Sequence, residues 1–409
     1  MEQRSSFNTK DRDGQVGADT KPPACQGRSR GVVVALGLAQ TLAWSSSYYL
    51  PAILADPISA SLGISRAWVF AAFSLALLIA ACSGPAIGRV IDRYGGRGVL
   101  MASNLVLAGG LVALASAGSA VWLFAAWAVL GVGMALGLYD ASFAALTALY
   151  GQAARGPITA ITLFGGFAST VSWPVSTFLD HEFGWRETVL VWAALNLIVG
   201  LPLNWLVPSL SKAYVQRSRA EGAAVGWKPR REMFLLAFVF AAAWFVTGAM
   251  ASQLPTLLER AGATQLQAIA ASALVGPAQV GARVAEFFVL RHMHPLYSAR
   301  IAALLHPLGA AVFAILGPPA AAAFALLYGA GNGLLTIARG TVPLALFGPH
   351  GYGERTGLLG APARAAQALA PLLFGILLDR MGPSAIFVSA ALCLFAFAAL
   401  LRLPVSRPG

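Results

Sequence analysis

The sequence predicts an all-α membrane protein, with twelve transmembrane helices in two pseudo-symmetric six-helix bundles. Three observations lead there. Mean hydropathy is +0.71, with 58% hydrophobic and 11% charged residues, a balance typical of chains that live in a bilayer. Apolar stretches of about 20 residues, the length a helix needs to cross ~30 Å of hydrocarbon, recur along the chain. The longest polar interruption, "SLSKAYVQRSRAEGAAVGWKPRR" at 209–231, divides these stretches into two sets of six.

Residues 1–30 are polar and mixed in charge. They lack the apolar region and small-residue cleavage site of a secretory signal, so a disordered cytoplasmic tail is expected. The first bundle, 31–208, holds spans one to six. Span one (31–54) carries "QTLAWSSSYYLP", which puts Gln40, Trp44, Ser46 and Tyr48 on or near one helical stripe. Span two (67–88) precedes the arginine-rich stretch "GRVIDRYGGRG", and span three (99–118) has no ionisable interior residue. Span four (121–149) contains Asp140, span five (157–179) the pair Trp173-Pro174, and span six (187–207) again no ionisable interior residue.

A cytoplasmic linker at 209–231 leads to the second bundle, 232–409. Span seven (233–256) is followed by span eight (266–290), where "GPAQVGARVAEFF" sets Gln279, Arg283 and Glu286 at helical spacing inside an apolar run. Span nine (300–317) has His306, read as a packed, hydrogen-bonded histidine. Span ten (319–347) carries "GAGNGLLTIARG" with Asn332 two turns before Arg339, span eleven (356–378) carries Arg364, and span twelve (383–402) has no ionisable interior residue.

Charge sets the orientation. With the amino terminus inside, 21 of the 28 lysines and arginines fall on the inner side, four on the outer side and three within spans. Positive charge favours the cytoplasm, so a multi-pass protein of the cell inner (cytoplasmic) membrane is expected, with both termini cytoplasmic. The net charge of +12 is thus explained without nucleic acid, for which no extended basic domain with interleaved aromatics is present. Cys25, Cys82 and Cys393 have no paired spacing, so no disulfide framework, metal site or cofactor is expected.

The halves repeat. "GVGMALG" from Gly131 and "GAGNGLL" from Gly329 lie 198 residues apart, and Trp173-Pro174 with Ala370-Pro371 and Leu179-Asp180 with Leu378-Asp379 keep nearly that offset. Parallel six-span repeats are a transporter pattern, although small residues at helix contacts also recur for packing alone.

In "GRVIDRYGGRG", Gly88, Asp92, Arg93, Gly95 and Arg97 match a G-x3-D-R-x-G-x-R spacing. Gly88 permits close helix approach, Gly95 a turn, and Asp92 can pair with a helix end or an arginine. This stretch resembles the signature loop of the major facilitator superfamily, and twelve spans, the 6+6 division and "GWR" at 184–186 extend the likeness over nearly the whole chain. The resemblance implies alternating access and a gating loop that favours the outward-facing state. The loop after span eight, "RHMHPLYSAR", lacks the pattern, so a one-sided latch is expected. Two drug-antiporter signatures are missing, since Trp127 stands without an arginine four residues before Gly131 and span five reads "STVSWPVST". Gly276, Gln279, Ala282 and Arg283 instead resemble the G-x-x-D-x-x-A-R of the monocarboxylate-transporter branch and its bacterial relatives, with Gln279 in place of the aspartate. That resemblance implies an arginine that engages a substrate carboxylate and leaves proton coupling open.

At 1.5 Å per residue, Arg283, Asp140, Arg339 and Arg364 fall at similar depth near the midplane. A charge there costs at least ~2.5 kcal/mol, so all four are expected to face protein or a wet cavity. Three arginines against one aspartate leave the layer net positive. A small organic anion is therefore expected, held by Arg283 and Arg339, with Gln279, Arg364, Asn332, Trp44 and Tyr48 as further substrate-binding residues. The bland alternative pairs Arg283 with Glu286 and Arg339 with Asp140 simply to tie helices together. Asp140 is the candidate for proton coupling, because burial favours its neutral form and a neighbouring arginine its charged form; a fixed structural pair is the other reading.

A phosphate-binding G-x4-G-K-[ST] loop, a G-x-S-x-G elbow and metal spacing are all missing from the sequence, which disfavours an ATP-driven pump and an enzyme. The expectation is a secondary active transporter functioning as a monomer, with protons as coupling ion. An efflux pump for a drug or oxyanion and a non-transporting membrane sensor are the alternatives.

Overall fold

The computed structural model describes residues 29–210 and 231–405. The linker assigned to 209–231 therefore lies almost wholly outside the described residues, as does the tail at 1–28. Nine helical runs among the described residues are long and apolar enough to cross a bilayer. Two of these, Ala120–Phe183 with 64 residues and Tyr352–Leu401 with 50, far exceed the ~20 residues of one crossing. They turn at Gly151 and Gly382, whose φ angles of 55° and 58° suit glycine. Counting each long run as two and adding the two-piece span one is consistent with twelve crossings.

Several spans are broken, and local chemistry explains where. Span one is a helix over Ser29–Ser45 and a second over Leu50–Leu62. Between them the Ser46 and Ser47 hydroxyls donate back to the Ala43 carbonyl, at 3.4 and 2.6 Å, offering the backbone an alternative to helix continuation. Pro51 then sits in the first turn of the next helix, where its missing N–H is harmless. Span four runs Ala120–Gly137, passes through an extended Leu138 and restarts as Tyr139–Tyr150. Span five breaks at Phe167 into Arg155–Gly166 and Ala168–Phe183, and span eight at Leu274 into Gln265–Ala273 and Val275–Phe288. Span six, Trp185–Trp205, widens into a π turn over Asn196–Gly200. Spans two (Arg66–Tyr94), three (Gly96–Ala115), seven (Arg231–Arg260), nine (Pro295–Leu316), ten (Ala321–Phe347), eleven (Tyr352–Met381) and twelve (Ala385–Leu401) are single helices.

Spans one to six and seven to twelve form two lobes, each with its own apolar core, built around Trp127 and Leu107 in one and Phe324 and Phe374 in the other. The lobes meet along two seams, span two against span eleven and span five against span eight. Large apolar side chains such as Ile198, Ile315, Leu372 and Phe395 point outward and are well exposed, the inverse of a water-soluble protein and what a lipid-facing surface requires. Arg300 donates to the Leu400 and Leu403 carbonyls and Arg97 lies over Trp205. These contacts gather the first turns of spans three and nine and the ends of spans six and twelve on one side, the terminal face.

Candidate substrate site and gates

The break at Leu138 places Asp140 in the first turn of the restarted helix, where the helix dipole favours negative charge. Its Oδ2 accepts from Arg339 at 2.6 Å and from Arg364 at a short contact, tying span four of the first lobe to spans ten and eleven of the second. All three side chains are less than a tenth exposed. The Arg339 guanidinium also lies 4.7 Å from the Trp244 ring, within cation–π range.

A cavity of ≈ 1440 Å³ opens between the lobes along spans five and eight. Its lining includes His181, whose side chain is 84% exposed, so the cavity reaches the surface at the face opposite the terminal one. Trp44, Tyr48, Tyr49, Tyr139, Trp173 and Trp244 supply much of its wall, together with Gln279, Asn332, Thr336 and Gln367. Arg283 lines the same cavity and is only 5% exposed.

The four ionisable groups expected near the midplane therefore divide. Arg339 pairs with Asp140, as the alternative reading had it, and Arg364 joins the same carboxylate, in a side chamber of ≈ 20 Å³ that shares Trp44, Tyr48, Trp244 and Gln367 with the main cavity. Electrostatics accounts for this, because the carboxylate offsets the desolvation of two guanidiniums. The pairing of Arg283 with Glu286 does not occur. Glu286 is 1% exposed and binds Arg155 at 3.3 Å and the Ser298 hydroxyl at 2.7 Å. Arg283 donates instead to the Thr162 carbonyl at 3.1 Å and to Thr336 Oγ1 at 3.5 Å, and its buried Nε has no partner among the described residues.

Trp44 and Tyr48 stand on the partition between chamber and cavity. Tyr48 accepts from Gln367 Nε2 at 2.7 Å, a further bond between the lobes. Gln279 and Asn332 line the cavity, and Asn332 Oδ1 accepts from Thr247 at 2.9 Å.

The stretch Gly88–Gly98 is less of a loop than its sequence suggests. Gly88, Asp92 and Arg93 lie in the last two turns of span two, which continues to Tyr94, and Arg97 lies in the first turn of span three. Gly95 alone makes the corner, with φ 84°. Asp92 accepts from the backbone N–H groups of Gly353 and Glu354, each at 2.9 Å, and so caps the first turn of span eleven. Gly88 and Gly353 bring backbone against backbone there, since a Cβ at either would strike the other's main chain. Arg89 adds a 3.8 Å contact to Glu354, whereas Arg93 is exposed. His306, in contrast, is buried beside Ser389 at 2.9 Å, away from the cavity.

Arg155, Tyr139, Trp244 and Gln367 escaped sequence reasoning. Gln367 lies one turn after Arg364 and could have been found from that spacing, and Trp244 from the pull of an aromatic face on a buried cation. Arg155 stands alone in a short connection and read only as positive-inside charge.

The chain matches the family model described as Major Facilitator Superfamily over residues 36–350, and it belongs to that superfamily of non-enzymatic carriers. A curated relative, an MFS-type efflux pump of Mycolicibacterium smegmatis, is 29% identical over 233 residues, 54% of this chain and 53% of the relative. The match thus spans about half the length of that relative. Among solved structures, the human organic anion transporter MFSD10 (TETRAN) superposes with TM-score 0.70 at 18% identity, covering 93% of this chain and 100% of that one. The proton:xylose symporter XylE bound to 6-bromo-6-deoxy-D-glucose gives TM-score 0.73 at 15% identity, with 93% and 96% covered. These two likenesses bear on the fold alone.

Proposed function

We propose that this major facilitator carrier moves an organic anion bearing one carboxylate across the cell inner membrane by alternating access, coupled to protons, with the terminal face in the cytoplasm. The observation that carries the reading is Arg283, a buried guanidinium on the wall of a large cavity, with no acidic partner among the described residues and an unsatisfied Nε. A carboxylate would satisfy it with charge-assisted hydrogen bonds, and Gln279, one turn away on the same helix, would help orient it. Asn332, Trp44 and Tyr48 would contact the rest of the molecule.

In this reading protonation of Asp140 releases Arg339 and Arg364, and the change in charge behind the Trp44–Tyr48 partition permits the lobes to reorient. The carrier would function as a monomer. Counterflow in proteoliposomes across carboxylates, neutral amphiphiles and oxyanions tests the proposal: exchange should favour monocarboxylates, and a response confined to neutral or cationic compounds overturns it. Export is a second reading, favoured by the name of the curated relative and by the aromatic wall, which suits amphiphiles. The direction of accumulation under an imposed pH gradient separates the two.

A further inference from the structure

The seam between spans two and eleven is closed at the terminal face by Asp92 and by glycine packing. The opposite seam, between spans five and eight, has no such motif, but it is closed too. Arg155, the first residue of the helix Arg155–Gly166, crosses to the second lobe and donates to Glu286 Oε1 at 3.3 Å, to the Leu290 carbonyl at 3.3 Å and to the Met293 carbonyl at 2.5 Å. Ser298 holds the other oxygen of Glu286 at 2.7 Å.

The geometry follows the internal repeat. The 198-residue offset that carries Gly131 to Gly329 also carries Asp92 to Leu290 and Arg155 to Gly353. In the first seam a side-chain carboxylate at position 92 accepts from the backbone at 353. In the second, the backbone carbonyl at 290 accepts from a side-chain guanidinium at 155. Position and direction are kept, while the roles of side chain and main chain are exchanged. This is why the loop after span eight carries no recognisable motif.

A second rung crosses the same seam. Thr162 lies seven residues after Arg155, two turns along the same helical stripe, and its carbonyl accepts from Arg283. On the facing helix Arg283 lies one turn before Glu286. The two rungs, Arg155 to Glu286 and Arg283 to Thr162, thus join the same pair of helices, and the second ends on the residue assigned to the substrate.

We infer that Arg155 and Glu286 form a second gate at the terminal face, and that whatever draws Arg283 away from Thr162 weakens this seam and primes it to open. The gate stands on geometry alone; that substrate is what draws Arg283 away rests on the function proposed above. Arg155 is a positioning residue, acting through the helix pair and not on the transported molecule.

Thr159 reports on the seam. It lies between Arg155 and Thr162 on the stripe facing span eight and is 4% exposed. Full-length carrier in membrane vesicles, with Cys25, Cys82 and Cys393 replaced and Thr159→Cys introduced, is labelled with an impermeant maleimide from each face separately. Arg155→Ala should raise labelling from the terminal face several-fold, Arg283→Ala should also raise it, and Arg155→Lys, which keeps charge for Glu286 but not the reach to both carbonyls, should fall between. If Arg155→Ala expresses poorly, Glu286→Gln serves, with the same rise expected. Labelling unchanged by loss of either Arg155 or Glu286 overturns the gate, and labelling unchanged by Arg283→Ala overturns its link to the substrate site. No transported compound is needed, so these outcomes are independent of the counterflow result.

Discussion

Arg339 donates to Asp140 Oδ2 at 2.6 Å, joining the second lobe to the first beside the central cavity. Arg364 shares the same oxygen, so one carboxylate holds two guanidiniums from two different spans. In the function proposed above, this shared carboxylate is the element through which the two lobes are coupled.

Asp140→Asn leaves two buried arginines without their counter-charge. Removing one partner of a buried pair costs about 3–5 kcal/mol, so a clear fall in thermal midpoint in detergent is expected. Accumulation driven by a pH gradient should vanish while counterflow exchange survives. Persistent gradient-driven accumulation would place the proton elsewhere.

Arg283→Ala should weaken anion binding by roughly 10- to 150-fold, the equivalent of about 1.5–3 kcal/mol for a hydrogen bond to a charged group. Arg283→Lys should recover only part, because an ammonium lacks the planar fork. Equilibrium binding or the KM for counterflow checks the series, and equal affinity in all three proteins would remove Arg283 from the site.

Gly88→Ala should push spans two and eleven apart at the terminal face. The added methyl meets backbone at Gly353 and Glu354, which cannot swing aside as a side chain would. Overpacking of about 1–3 kcal/mol should shift the population away from the closed terminal face, visible as faster labelling of a cysteine placed on that seam.

His294 provides a pH dependence with a definite sign. Its Nδ1 accepts from Leu296 N and so caps span nine. Partial burial, together with Arg155 and Arg300 nearby, holds its imidazole below the ordinary histidine value. A depressed folded-state value means the cap contributes fully above the unfolded value of ~6.5 and is lost as pH falls through the lower folded value. Thermal midpoints of the native protein should therefore drop in mild acid, and His294→Asn, which caps without titrating, should flatten that limb. An unchanged profile in the variant would show that the dependence arises elsewhere.

Much of this architecture was legible in the sequence, because hydropathy and the 198-residue repeat both report spans directly. That Asp140, Arg339 and Arg364 share one level was legible too, since helical rise converts position into height. The Arg339–Asp140 pair was among the readings the sequence offered, whereas the second guanidinium on that carboxylate, Arg364, and the partners of Arg283 were not. Rotation of Arg339 and Arg364 toward Asp140 is set by packing of spans four, ten and eleven, and by the break at Leu138, a residue with no local breaker chemistry. The partner of Glu286 was hidden for the same reason: spacing along one helix says nothing of an arginine on the other lobe. The gate at Arg155 was invisible because its acceptors at Leu290 and Met293 are main-chain atoms, which leave no signature in a residue pattern.

Among the described residues, the aromatic vestibule opens at the face opposite the terminal one. A rigid arene with a single carboxylate, too bulky to be enclosed when the lobes rock, would lodge against Trp44 and Trp173 like a wedge in a hinge. It would block the carrier when supplied from that side and be inert from the other, so sidedness of inhibition becomes a direct readout of which way the empty protein rests.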